Sequence, residues 1–95
     1  MKIKDLRIGQ NVDYLRAKVI DKEEKRQVMS KFGRALSVAN VLLEDETGNI
    51  KLTLWGKDID RVKEGDTVEI KDAYVKEFRG EKQLTLGRKG SMEVV

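Results

Sequence analysis

Along most of this chain apolar and polar positions alternate one for one, the period of a β-strand with one face buried. The clearest run is Ile50–Trp55, where Ile50, Leu52 and Leu54 fall on one side and Lys51, Thr53 and Trp55 on the other. The same reading predicts a first strand from Val12 to about Lys22, with Leu15, Ala17 and Val19 sharing a face. It predicts a second from Ala35 to Glu44, a third from Asn49 to Trp55, a fourth from Asp66 to Phe78, and a fifth from Lys82 to Leu86 with Leu84 and Leu86 inward. Ser91–Val95 reads as a further short edge strand, and Ile3–Gln10 as a cap whose turn ends at Gly9. Two strands change phase in mid-course. In the second, the apolar positions flip between Val38 and Val41, and in the fourth Val68 and Ile70 lie in one phase but Ala73 and Val75 in the other. Such a flip marks a bulge or a sharp bend.

The connections agree with this outline. The charged stretch Asp21–Arg34, containing Lys31-Phe32-Gly33-Arg34, predicts a long protruding hairpin between the first two strands. Asp45-Glu46-Thr47-Gly48 and Arg79-Gly80-Glu81 are tight turns. Gly56–Glu64 holds only one weak helical turn, ended by Gly65. Five short strands with two bends describe an all-β, strongly curved antiparallel barrel, whose closure removes the exposed edges of a flat meander. The near absence of a helix between the third and fourth strands occupies the place where an OB-fold carries one. The expected architecture is therefore a five-stranded OB-fold barrel, with an SH3-like barrel as the alternative. At 95 residues the chain has room for one domain, spanning 1–95, with one modest core.

The chain has only five aromatic residues, and three of them fall on the polar side of their strands. Trp55 shares a face with Lys51 and Thr53. Tyr74, Lys76 and Phe78 share a face opposite Ala73 and Val75. Flat rings beside lysines make a surface that stacks bases and holds phosphates, and every base has a π-face to offer. Phe32, next to Gly33 in the hairpin, is a fourth candidate ring; Tyr14 is expected to pack against the barrel. Lys51, Lys57, Lys76, Arg79 and Lys82 flank the rings, and Lys31 and Arg34 reach in from the hairpin, as candidate phosphate contacts. Gln83 and Thr85, outward on the fifth strand, are candidates to hydrogen-bond base edges.

Composition narrows the chemistry. A net charge of +3 fits a polyanionic partner without singling one out. Without cysteine or histidine there are no disulfides, no thiolate or imidazole metal sites and no histidine base. The compact acidic groups, Asp58-Ile59-Asp60 and Glu44-Asp45-Glu46, sit at turns, where acids commonly serve the backbone. Gly33, Gly48, Gly56, Gly65 and Gly80 stand singly at strand ends and form no phosphate-cradling loop. The expectation is a binding protein, with neither catalytic residues nor metal nor cofactor. Apolar runs are only a few residues long, so no membrane partner is expected and the expected location is the cytoplasm, or the nucleus in a source that has one.

Three segments in this order and spacing carry a family resemblance: Asp45–Lys57 (DETGNIKLTLWGK), Val62–Ile70 (VKEGDTVEI) and Ala73–Gly80 (AYVKEFRG). They resemble archaeal single-stranded DNA-binding proteins, of the replication protein A type of OB-fold, over about Asp45–Leu86, with a weaker echo from Leu6 to Arg34. The resemblance implies base stacking on a tryptophan ending the third strand and on two aromatics late in the fourth, positions held here by Trp55, Tyr74 and Phe78. It implies single-stranded DNA as partner, with further OB domains or replication and repair proteins besides. Several such archaeal proteins carry a Gly/Arg-rich or acidic tail after the barrel. This sequence stops at Met92-Glu93-Val94-Val95, which fits either a tail-less protein or one domain of a longer one. Two other functions suit the same face: RNA or tRNA binding, and docking of a protein partner or sister subunit. The lysines among the rings argue against the second, since buried protein interfaces are depleted in Lys.

Overall fold

The computed structural model describes residues 2–95, with side chains for all of these but 87 and 88. Six strands form one sheet: β1 (Asn11–Lys22), β2 (Arg26–Met29), β3 (Ala35–Asp45), β4 (Gly48–Trp55), β5 (Thr67–Phe78) and β6 (Glu81–Val94). Their order is β1-β5-β6-β4-β3-β2, and an additional β1–β3 pairing closes five of them into a barrel. β2 lies outside the closure and pairs with the first part of β3 alone. All pairings are antiparallel except β4–β6, which run parallel. This is the expected OB-fold. The connection between β4 and β5 carries only a 3-10 turn, Gly56–Arg61.

The interior follows the alternation. Leu15, Ala17 and Val19 of β1 meet Val41 and Leu43 of β3, Leu52 and Leu54 of β4, Val68, Ile70 and Val75 of β5, and Leu84 and Met92 of β6. Ile3 and Leu6 from an N-terminal 3-10 turn (Ile3–Asp5) and Ile59 and Val62 from the later connection join the same core.

The two predicted phase flips have different physical origins. In β5 the flip is a true irregularity: the β5–β6 register shifts between Lys71 and Ala73. Asp72 sits there at φ 56, a left-handed conformation that Asp tolerates better than most residues. In β3 there is no bulge. Its register with β4 is unbroken from Val38↔Trp55 to Asp45↔Gly48. Val38 faces outward with Asn40, yet is only 4% exposed and lies outside the main core cluster. It is buried because Trp55, its cross-strand partner, and β2 cover it.

The long hairpin is present with a strand of its own, and one further expectation, the division of the last strand, is corrected. The protruding Asp21–Arg34 segment contains a real strand, β2, whose loop is ordered by Ser30 Oγ accepting from the N–H groups of Phe32 and Arg34. The fifth strand and the separate edge strand are one element, β6, which bends at the β5 irregularity and continues to pair, Ile70 with Met92 and Val68 with Val94. The Arg79-Gly80 turn has positive φ at both central positions (52° and 81°), the pattern of the tight two-residue hairpin turn that suits twisted strands.

The β3–β4 turn is held by Asp45. Its Oδ1 accepts from the Thr47 N–H (2.7 Å), the Gly48 N–H (3.2 Å) and the Thr47 hydroxyl (2.6 Å), and its Oδ2 from the Ile3 N–H (2.8 Å). Burial raises its pKa, but the hydrogen bonds to the ionised form outweigh that and hold it below the usual carboxylate range. A depressed folded pKa stabilises the fold above the unfolded value, and the contribution is lost as pH falls through the folded one. Thermal stability should therefore decline on acidification below about pH 4. Asp45→Asn should flatten that decline and cost about 1 kcal/mol at neutral pH. Melting curves across pH test this; an unchanged acid slope in the variant would assign the effect to other carboxylates.

Candidate nucleic-acid interface

One outer face of the barrel, across β3, β4, β6 and β5, collects most of the candidate residues because all of them share the outward phase of their strands. Cross-strand pairing builds it in rows. Asn40 on β3 lies beside Thr53 on β4, Thr53 beside Thr85 on β6, and Thr85 beside Tyr74 on β5. The next row runs from Lys51 through Gln83 to Lys76. Trp55 stands at one end, and Phe78, beside the tight turn, at the other.

Three of these rings keep nearly half their surface open: Trp55 is 45% exposed, Tyr74 42% and Phe78 46%. Trp55, Lys76 and Phe78 border a single groove, with Arg26 and Val28 of β2 across it. Arg26 also borders the adjoining cleft, with Lys51, Phe78 and Arg79. Tyr74 shares the face but stands off this groove, towards Asn11 on β1. The Arg79 guanidinium lies 5.2 Å from the Phe78 ring centroid, which places a cation against a ring whose remaining surface is open.

The groove floor is polar and buried. Gln83 is 4% and Thr53 6% exposed, although both point outward from the barrel. The Thr53 hydroxyl lies 2.9 Å from Asn40 Oδ1 and 3.4 Å from Gln83 Oε1. Among the described residues the ion pairs are Lys2–Glu46 and Arg61–Asp58, so Arg26, Lys51, Lys76 and Arg79 hold their charges unpaired around the groove. Glu23 and Glu81 are the acidic residues that line the adjoining cleft with Arg26, Lys51 and Arg79.

Other candidates are not brought to this groove. Lys82 lies in the opposite phase of β6 from Gln83, and its Nζ donates to the Leu6 carbonyl (2.7 Å) at the barrel end. Lys57 is exposed on the 3-10 turn after Trp55. Phe32, 81% exposed, sits with Lys31 and Arg34 on the β2–β3 loop, and the Lys31 ammonium lies 5.3 Å from its ring centroid. Tyr14 is exposed on the β1–β5 surface, where its hydroxyl donates to Glu69; that hydrogen bond raises the phenol pKa. The sequence reading missed Arg26, Val28, Asn40 and the structural part of Thr53. The signals were the Arg26/Val28 alternation within a charged stretch and the apolar Val38 out of phase with its strand.

Comparison with known proteins decides the family. A family model described as "Single-stranded DNA binding protein Ssb-like, OB fold" matches residues 7–94. The chain belongs to the Ssb-like OB-fold family. It is 40% identical over 72 residues to the single-stranded DNA binding protein Ssb of Saccharolobus solfataricus, covering 76% of this chain and 48% of that one. It is 32% identical over 74 residues to replication factor A of Methanothermobacter thermautotrophicus, covering 74% of this chain and 9% of that one. The chain thus spans about half the length of one curated relative and a small part of the other. A solution structure of a replication factor A related protein from Methanobacterium thermoautotrophicum superimposes with a TM-score of 0.81 at 27% identity, covering 100% of this chain and 89% of that one. No helix among the described residues is long and apolar enough to cross a membrane.

Proposed function

We propose that this Ssb-like OB-fold chain binds single-stranded DNA with little sequence preference, in replication, repair or recombination. Bases stack on Trp55, Tyr74 and Phe78, while phosphates run past Lys51, Lys76, Arg79 and the newly located Arg26. The observation that carries this is the coincidence, on one face, of three half-open rings with four unpaired cations. Phe32, with Lys31 and Arg34, stands off the groove on the hairpin loop and offers a further ring and two further charges to a longer strand, and Lys57 adds a peripheral charge.

Each stacked base contributes about 1–3 kcal/mol; three of them, together with the phosphate contacts and less the cost of ordering the strand, lead us to expect an affinity on the order of micromolar. Linkage to further OB domains would raise avidity without new contacts.

Titration with a dT oligomer, followed by quenching of the sole tryptophan, tests the reading. Saturable quenching is expected, with log affinity falling against log salt at a slope of about −2 to −3.5 for roughly 3–5 neutralised phosphates. Matched affinity for duplex DNA, or a clear preference for RNA, would overturn it in favour of a general polyanion or RNA binder.

A further inference from the structure

The groove floor has hydrogen-bonding capacity that the barrel does not use. Asn40 and Gln83 are neutral amides, each with a carbonyl acceptor and two N–H donors, and Thr53 contributes one hydroxyl proton. Their contacts among the described residues are the two to Thr53. No fully enclosed side-chain polar atom lacks a partner among the described residues, so the uncommitted ends of both amides open into the groove. Yet Gln83 and Thr53 are more than nine-tenths buried. A buried amide with an unmet half is costly in a folded protein unless water or a ligand completes it.

One hydroxyl proton cannot satisfy two amide oxygens. With the proton on Asn40, the shorter contact, Gln83 turned about its terminal bond gives an N–H to the Thr53 oxygen and shows its carbonyl to the groove. The floor then presents an N–H donor from Asn40 and a carbonyl acceptor from Gln83; rotating the hydroxyl and both amides together exchanges the two roles. Every nucleobase carries a donor next to an acceptor on its Watson–Crick edge, in one order or the other. A floor that presents either order meets all four.

We infer that Asn40, Thr53 and Gln83 form a slot that hydrogen-bonds the free Watson–Crick edge of a base lying in the groove that Trp55 and Phe78 border. This rests on the single-stranded DNA reading and adds to it a reason for choosing single strands over duplex. Stacking and phosphate contacts favour any polynucleotide, whereas a paired base has no edge left to offer. Interchangeable amides also make the contact tolerant of base identity.

An oligomer of N3-methylthymidine tests the slot, since it keeps the ring face and the phosphates but blocks the edge. The wild-type chain should bind dT about 3- to 10-fold more tightly than the methylated oligomer, the size expected for one hydrogen-bonded contact. Gln83→Met keeps the length of the side chain and removes the amide; it should bind both oligomers alike, with the salt slope unchanged. Thr53→Val, which preserves shape and unlocks the amides, should narrow the gap without closing it, and covers the case in which the Met variant does not fold. Equal binding of the two oligomers by the wild type, or an undiminished preference in Gln83→Met, would overturn the slot while leaving the stacking reading standing. If the wild type fails to bind dT at all, the single-stranded DNA reading falls and takes this one with it.

Discussion

Trp55→Ala should weaken binding of a labelled dT oligomer roughly 5- to 150-fold, the range that corresponds to about 1–3 kcal/mol for one stacked base. The salt slope should not move, because no cation is removed and the slope counts neutralised phosphates. Removing the indole also strips the cover from Val38, a residue only 4% exposed and outside the main core cluster, so a modest loss of stability accompanies the loss of affinity. The two effects separate on measurement. Fluorescence anisotropy of a labelled oligomer, read well below the melting temperature of the variant, isolates binding, and thermal melting isolates the cover. Affinity within twofold of wild type, with a lowered melting temperature, would reduce Trp55 to a lid over Val38 and β2 and move the binding face elsewhere.

That double duty explains where the sequence was legible and where it was not. Period-two alternation assigns a side chain to a face of its strand, and for Trp55, Tyr74 and Phe78 this was enough to find the open face. It does not say how deep that face lies. Gln83 and Thr53 are outward by phase and buried in fact, because the flanking side chains and β2 build walls around them. Val38 shows the converse error. An apolar residue out of phase suggests a bulge when a strand is considered alone, but here it signals a second layer, supplied by a short strand hidden in the charged Asp21–Arg34 segment. Four residues with one half-buried valine, Val28, give too little periodicity to stand out among seven charged neighbours in that segment. Lys82 was readable all along: it shares the phase of the inward Leu84 and Leu86, and the Leu6 carbonyl receives its ammonium. In β5, by contrast, the flip at Asp72 meant what it suggested, because both strands of the pair bend there.

Leu84→Ala should cost about 2–5 kcal/mol of stability, the usual penalty for a leucine truncated in a packed core. At 95 residues, a shift of about 4–8 °C per kcal/mol lowers the melting temperature by tens of degrees at the upper end. Leu84 is fully buried among the strands that close the barrel, paired with Leu52 on β4 and Val75 on β5. Its neighbour Gln83 points the other way into the groove floor, so adjacent residues of one strand serve the core and the proposed site separately. The affinity of the folded fraction for dT should therefore stay within a few-fold of wild type at temperatures where the variant remains folded. Melting curves and anisotropy titrations at low temperature measure both. A large loss of affinity in fully folded Leu84→Ala would mean that the groove geometry depends on β6 packing, and that the rings and the barrel interior act as one unit rather than as two faces of a rigid sheet.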